Sequence, residues 1–264
     1  MMTLLLNVEI NFYALLLSYV IPLIVYSFNY QSELDKDIFT DREKVEYLEK
    51  RKNISIYLQT LLITLLIALM VIISSIQLMI FMAVIIFGGI TYTYFFKALT
   101  RKIIGFKSIY ATTLWAWYGT FFIVLLYSIQ PDLLIFFMFI FLFLRLFANA
   151  IFFDIKDIEA DRRSSLLTIP IVAGTANSIR AINWINVLSI IVLIVGVITD
   201  IVPLYAISLI LFSAYSYYYA NSGATSDKRH LLNNTYVLAD AEFILWPVVL
   251  ALSKAIFYTA GLTS

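Results

Sequence analysis

The chain has 264 residues, of which 62% are hydrophobic and only 13% charged, with a formal net charge of +1. A soluble domain has no interior large enough for that much apolar surface, so this composition points to a membrane protein. It contains no cysteine, which excludes disulfides and thiolate metal sites, and the sparse, balanced charge gives no basis for a nucleic-acid partner.

A transmembrane helix needs roughly 20 apolar residues, and about eight stretches meet that length. They run roughly over 9–28, 54–76, 79–97, 107–129, 132–153, 181–199, 203–220 and 239–258. The first lacks a basic leader and a clear cleavage site, so a retained helix is expected rather than a signal peptide. The predicted fold class is therefore an all-α polytopic membrane protein. Short connections alternate with long charged ones over 29–53, 98–106, 154–180 and 221–238. Of the 18 basic residues, only Arg145 and Lys254 lie away from the long connections and their flanks. The positive-inside rule makes that face cytoplasmic and puts the N-terminus outside.

The first long connection opens with Asn29, Glu33 and Asp37, spaced four apart, so on a helix they climb one face with about 40° of drift per step. Two readings stand for this stretch alone: a charged amphipathic surface segment and a ligand-bearing face. Further on, Lys97 follows the third stretch directly and could supply a cation to an anionic ligand. Arg101, Lys102 and Lys107 compete for that role, against plain positive-inside anchoring. On the fourth stretch, Trp115, Trp117 and Tyr118 are candidates for lining a cavity. Within the fifth, Arg145 and Asn149 lie one turn apart on a common face. An arginine inside a membrane span is expensive unless paired or hydrated, which makes it either a substrate-binding or a structural residue. A straight helix would turn it opposite Asp154.

That fifth stretch ends in Asp154, Asp157 and Asp161. On one continuous helix the three lie within about a 60° arc, while Glu159 points away. Clustered carboxylates repel unless cations fill the space between them. Hard oxygen donors of this kind favour Mg2+, which commonly bridges to phosphate. A solvated helix end is the competing reading. The two acidic segments are four spans apart and emerge on the same side, so the chain is expected to be a single domain over 1–264. It would be a parallel duplication of a four-helix unit, about 1–129 and 130–264, with both acidic faces turned to one cavity. A charged headgroup with an apolar tail is the substrate class such a cavity suits. Near the C-terminus, Asp240 and Glu242 open the last stretch, either as first-turn capping acids or as acceptor-binding groups.

Taken together, these segments resemble the UbiA superfamily of intramembrane prenyltransferases. Asn29, Glu33 and Asp37 are similar to that family's NxxxDxxxD motif, with Glu33 where aspartate is usual. Asp154, Asp157 and Asp161, followed by Arg162, Arg163, Thr168, Ile169, Pro170, Ile171 and Gly174, resemble its DxxDxxxDRxxGxxTLPV run, with Ser165 in place of a common glycine. Tyr92, Tyr94 and Lys97 look like its YxYPLK segment. The resemblance implies a UbiA-like bundle in which Mg2+ is held by Glu33, Asp37, Asp154, Asp157 and Asp161. It further implies substrate contacts from Asn29, Tyr94, Lys97, Arg145 and Asn149, with Lys97, Asp157 and Asp161 closest to the chemistry. The partners it implies are an isoprenoid diphosphate, a hydrophobic acceptor that is aromatic or lipid-like, and membrane lipid. Family members typically have nine spans with the motifs after the second and sixth. Here they are expected after the first and fifth, which implies that the usual first helix is missing. Two further classes compete for the same residues. One is CDP-alcohol phosphotransfer, whose DGxxAR pattern does not match Ile158, Glu159 and Ala160. The other is a non-catalytic binding or carrier protein.

Overall fold

The computed structural model describes residues 1–32, 42–50, 52–73, 75–224, 231 and 234–261, apart from a few side chains within them. Among the described residues the regular structure is entirely helical. The helices are α1 (Met2–Leu5), α2 (Phe12–Ser32), α3 (Arg42–Lys50), α4 (Lys52–Ile73), α5 (Ile76–Thr91), α6 (Lys97–Thr100) and α7 (Phe106–Leu126). They continue with α8 (Leu133–Lys156), α9 (Ile158–Arg163), α10 (Ile169–Ala173), α11 (Thr175–Ile198), α12 (Leu211–Ala224) and α13 (Asp240–Thr259).

Among the described residues, six helices are long and apolar enough to cross a membrane: Phe12–Asn29, Asn53–Ile73, Phe106–Leu126, Leu133–Lys156, Thr175–Ile198 and Val237–Thr259. The other two expected crossings are assembled from shorter pieces. The 16 residues of α5 rise only about 24 Å, and the helix then runs through a π-helical turn, Tyr92–Phe96, straight into α6. At the seventh position, Pro203 precedes a seven-residue 3-10 segment, Leu204–Ile210, that joins the 14 residues of α12. A 3-10 helix rises about 2 Å per residue, so the two pieces together reach about 35 Å, enough for a hydrocarbon core of about 30 Å.

Helix α8 is the axis of the bundle. It packs along α7 on one side and α11 on the other, and 44% of its span is buried, against 17% for the outlying α4. Its inward face carries Ile135, Met138, Phe141, Leu142, Ala148, Ile151 and Phe152, each almost without exposure. Tyr57, Leu61, Val71 and Ile80 on α4 and α5 face outward, as helices that are apolar all round do in lipid. At the end of the bundle away from the second acidic motif, the short α1 is pinned by the last helix. Lys254 donates to Leu4 O at 2.9 Å and to Asn7, and Tyr205 Oη donates to the same Leu4 carbonyl at 2.9 Å. Lys254, one of the two basic residues off the charged face, is thus a cap for the carbonyl end of α1.

Candidate active site

Helices α7 and α8 are antiparallel neighbours, so the first turn of α7 meets the last turn of α8. There, Lys107 Nζ lies 2.7 Å from Asp154 Oδ1, and Ser108 Oγ donates to Asp154 Oδ2 at 2.5 Å. Opposite poles of the two antiparallel helices meet here, so their macrodipoles largely cancel at the pair, which is held by direct contact.

The three aspartates do not lie on one straight helix, as the spacing suggests. Helix α8 stops at Lys156, and Asp157 forms a corner (φ −94°, ψ 8°) from which α9 departs. The turn brings Asp161, whose side chain is fully buried, to 3.2 Å from Lys107 Nζ. Asp157 stays half-buried at the corner, where Lys156 Nζ approaches it at 3.4 Å and its charge adds to the negative field at Lys107. Glu159 points away, exposed, as its position in the helix predicts.

The tail after the motif explains why this corner is stable. Leu166 N donates to Asp161 O at 3.0 Å, Leu167 N to Thr100 O at 2.9 Å, and Gly105 N to Leu167 O at 2.8 Å. The segment leading to Thr168 and Pro170 is therefore stapled to the loop that enters α7 just before Lys107. Gly105 has φ +68°, which strains any other residue, and a Cβ there would sit 3.0 Å from Ile169 Cγ1, which would have to shift by a few tenths of an ångström. Ser165 also takes a left-handed conformation, φ +55°. A glycine would take this conformation without strain, and serine here costs about 1 kcal/mol.

An aromatic cluster lies behind the lysine. Tyr110 has ring neighbours Phe96, Tyr92 and Phe106 at 4.9, 5.5 and 5.8 Å, and its hydroxyl donates to Gly88 O at 2.8 Å. Tyr92 is tied to Thr100 Oγ1 at 3.0 Å. Lys97 opens α6 directly after the π-helical turn and is half-buried. Tyr94 belongs to that turn, but its side chain lies outside the described set. Asn29 sits near the end of α2, where its Nδ2 donates to Gly89 O at 3.4 Å. Its Oδ1 is buried with no hydrogen-bond partner among the described residues. Gly89 permits this approach, because a Cβ there would come within 2.5 Å of Val25 Cγ1.

Arg145 and Asn149 are placed elsewhere. Nine residues before Asp154 is about 13 Å along α8 and half a turn round it. There Arg145, 1% exposed, donates to Glu242, Asn186, Ser213 Oγ and Phe212 O, and Asn149 Nδ2 donates to Ala239 O at 3.1 Å. Glu242 is therefore the buried partner of Arg145, not a cap or an acceptor site. Among the aromatics, Trp115 stacks on Tyr26 at 5.3 Å and Tyr118 donates to Leu17 O at 2.9 Å. Trp117, 45% exposed, faces outward and does not line a cavity.

Spacing did not single out Ser108, and Lys107 entered only as one of four competing cations. The signal that separates Lys107 is its place in the first turn after Gly105. Among the described residues no three acidic or histidine side chains converge as a metal site. The second-motif half does not by itself fit a divalent ion, because an ammonium occupies the space between Asp154 and Asp161. Glu33 and Asp37, the other half of the expected ligand set, lie outside the described residues.

No protein-family model matches the sequence, and a search of curated proteins finds no match. A search of solved structures finds a digeranylgeranylglyceryl phosphate synthase, with a TM-score of 0.58, 14% identity, and coverage of 95% of this chain and 89% of that one. The chain shares the fold of that membrane synthase. This bears out the expected UbiA-like helical bundle, and at that identity the likeness concerns the fold alone.

Proposed function

We propose that the chain transfers a prenyl group from an isoprenoid diphosphate to an apolar acceptor, aromatic or lipid-like, inside the membrane. The observation that carries this reading is the buried acid–lysine cluster at one end of an apolar bundle that shares its fold with a prenyl-lipid synthase. In such a site the tail lies among the helices and the headgroup at the charged, cytoplasmic end. The C1–O bond of the prenyl diphosphate breaks, and diphosphate departs with the electron pair. The acceptor then bonds to C1 and releases a proton. Charge builds on the leaving oxygen, so donors and cations aimed at it lower the barrier, typically by about 100-fold or more for one good donor. Asn29, Lys97 and Lys107 are the groups at this end of the bundle suited to that task. Mg2+ accompanying the diphosphate, with Glu33 and Asp37 among its ligands, belongs to this reading and is tested with it.

The test is release of pyrophosphate from farnesyl and geranylgeranyl diphosphate by the purified full chain in nanodiscs, offered pooled aromatic and glycerol-phosphate acceptors, with Mg2+ or EDTA. Release that requires an acceptor is the expected result. Binding of the diphosphate with no product under any condition would replace transfer by a binding or carrier role.

A further inference from the structure

The two most buried carboxylates of the second motif already have a cation. Asp154 and Asp161 have side chains 3% and 0% exposed, and carboxylates so placed stay ionised only with a positive group at contact distance. Lys107 reaches both, at 2.7 and 3.2 Å, and Ser108 takes the second oxygen of Asp154 at 2.5 Å. Both oxygens of Asp154 are therefore engaged within the protein. A divalent ion would need to bind them at about 2.0–2.1 Å, inside the space the ammonium fills, and the two cations would repel. The backbone ties from Leu167 to Thr100 and Gly105 fix the start of α7, and with it Lys107, in this position, so the contact is built into the fold.

An ammonium has three N–H donors. Two are directed at Asp154 and Asp161, and the third has no protein partner among the described residues, while 22% of the side chain is exposed. Lys107 is thus oriented by two carboxylates and retains one donor for an anion.

We propose that Lys107 is the resident cation of the second acidic face, so that this half of the site binds no divalent ion of its own and offers an N–H to a diphosphate oxygen instead. The anion role rests on the transferase reading, but the resident-cation role does not.

Mn2+ alone, titrated into the full chain in nanodiscs and followed by the resonance of the free ion, separates the two. Wild type and Asp161→Asn should bind Mn2+ equally. Lys107→Ala should gain a site at least about tenfold tighter, and adding Asp161→Asn should abolish that gain. Mn2+ binding by the wild type that falls tenfold in Asp161→Asn would overturn the proposal, since a metal would then be resident. If Lys107→Ala does not fold, comparison of the wild type with Asp161→Asn and with the half-buried Asp157→Asn decides the matter. In EDTA, Lys107→Met should bind geranylgeranyl diphosphate at least about tenfold more weakly than the wild type, and equal binding would remove the anion role. Absence of binding by the wild type, with or without Mg2+, overturns the transferase reading and the anion role together. The Mn2+ comparison would still decide the resident cation.

Discussion

Two buried charge clusters share the central helix and differ in how completely their hydrogen bonds are used. In the interior, Arg145 directs Nε to Glu242 Oε1 at 3.0 Å and Nη2 to Phe212 O at 2.7 Å, with Asn186, Ser213 and a second contact to Glu242 completing the set. Tyr219 Oη donates to the other oxygen of Glu242 at 3.0 Å. One positive charge meets one negative charge, and four helices are joined. At the end of the bundle, Lys107 faces both Asp154 and Asp161, with Asp157 nearby. That cluster carries excess negative charge and keeps a donor in hand. The first arrangement has no capacity left for a ligand and reads as a clamp, whereas the second reads as a site.

The clamp should give the largest effect when broken. Arg145→Leu leaves Glu242 charged and unpaired among apolar groups, and the loss should be about 3–5 kcal/mol of stability, seen as a lowered unfolding temperature in detergent. Arg145→Leu with Glu242→Leu should recover most of it. If the double variant is no more stable than the single one, the pair is not the clamp described. Next comes Gly89→Ala, which forces α2 away from α5 because of Val25, at a cost of about 1–3 kcal/mol. It should also lower turnover by moving Asn29, and an unchanged turnover would remove Asn29 from the site. Tyr110→Phe deletes the bond to Gly88 O behind Lys107 and should cost about 1 kcal/mol. The smallest effect is a gain. Ser165→Gly relieves the left-handed backbone and should stabilise by up to about 1 kcal/mol, with turnover unchanged.

Much of this could be read from residue order, and what could not depends on contacts distant in sequence. The apolar stretches, the alternation of connections and the three aspartates after α8 were legible because they are local patterns. The exposed outward turn of Glu159 followed from helix periodicity alone. The corner at Asp157 was not legible. It is stabilised by Leu167 pairing with Thr100 and Gly105, more than 60 residues away, and by Lys107 drawing Asp154 and Asp161 together. Likewise, the burial cost of Arg145 signalled that a partner must exist, but only packing identifies Glu242, 97 positions later. The glycine-to-serine departure at 165 acquires meaning only once its backbone angle is known. The 3-10 segment after Pro203 appeared in sequence as one ordinary span because hydrophobicity does not distinguish helix types.

The claim that the acid–lysine end is where chemistry occurs is tested most directly by prenyl transfer in Asp157→Asn, measured beside its unfolding temperature. The Asp157 side chain is 23% exposed at the corner and asparagine matches its size, so the substitution should leave the fold intact. Asp157 adds to the negative field that holds Lys107 as a cation, so the account predicts a loss of turnover with the unfolding temperature unchanged. Turnover equal to that of the wild type in an equally stable protein would contradict it.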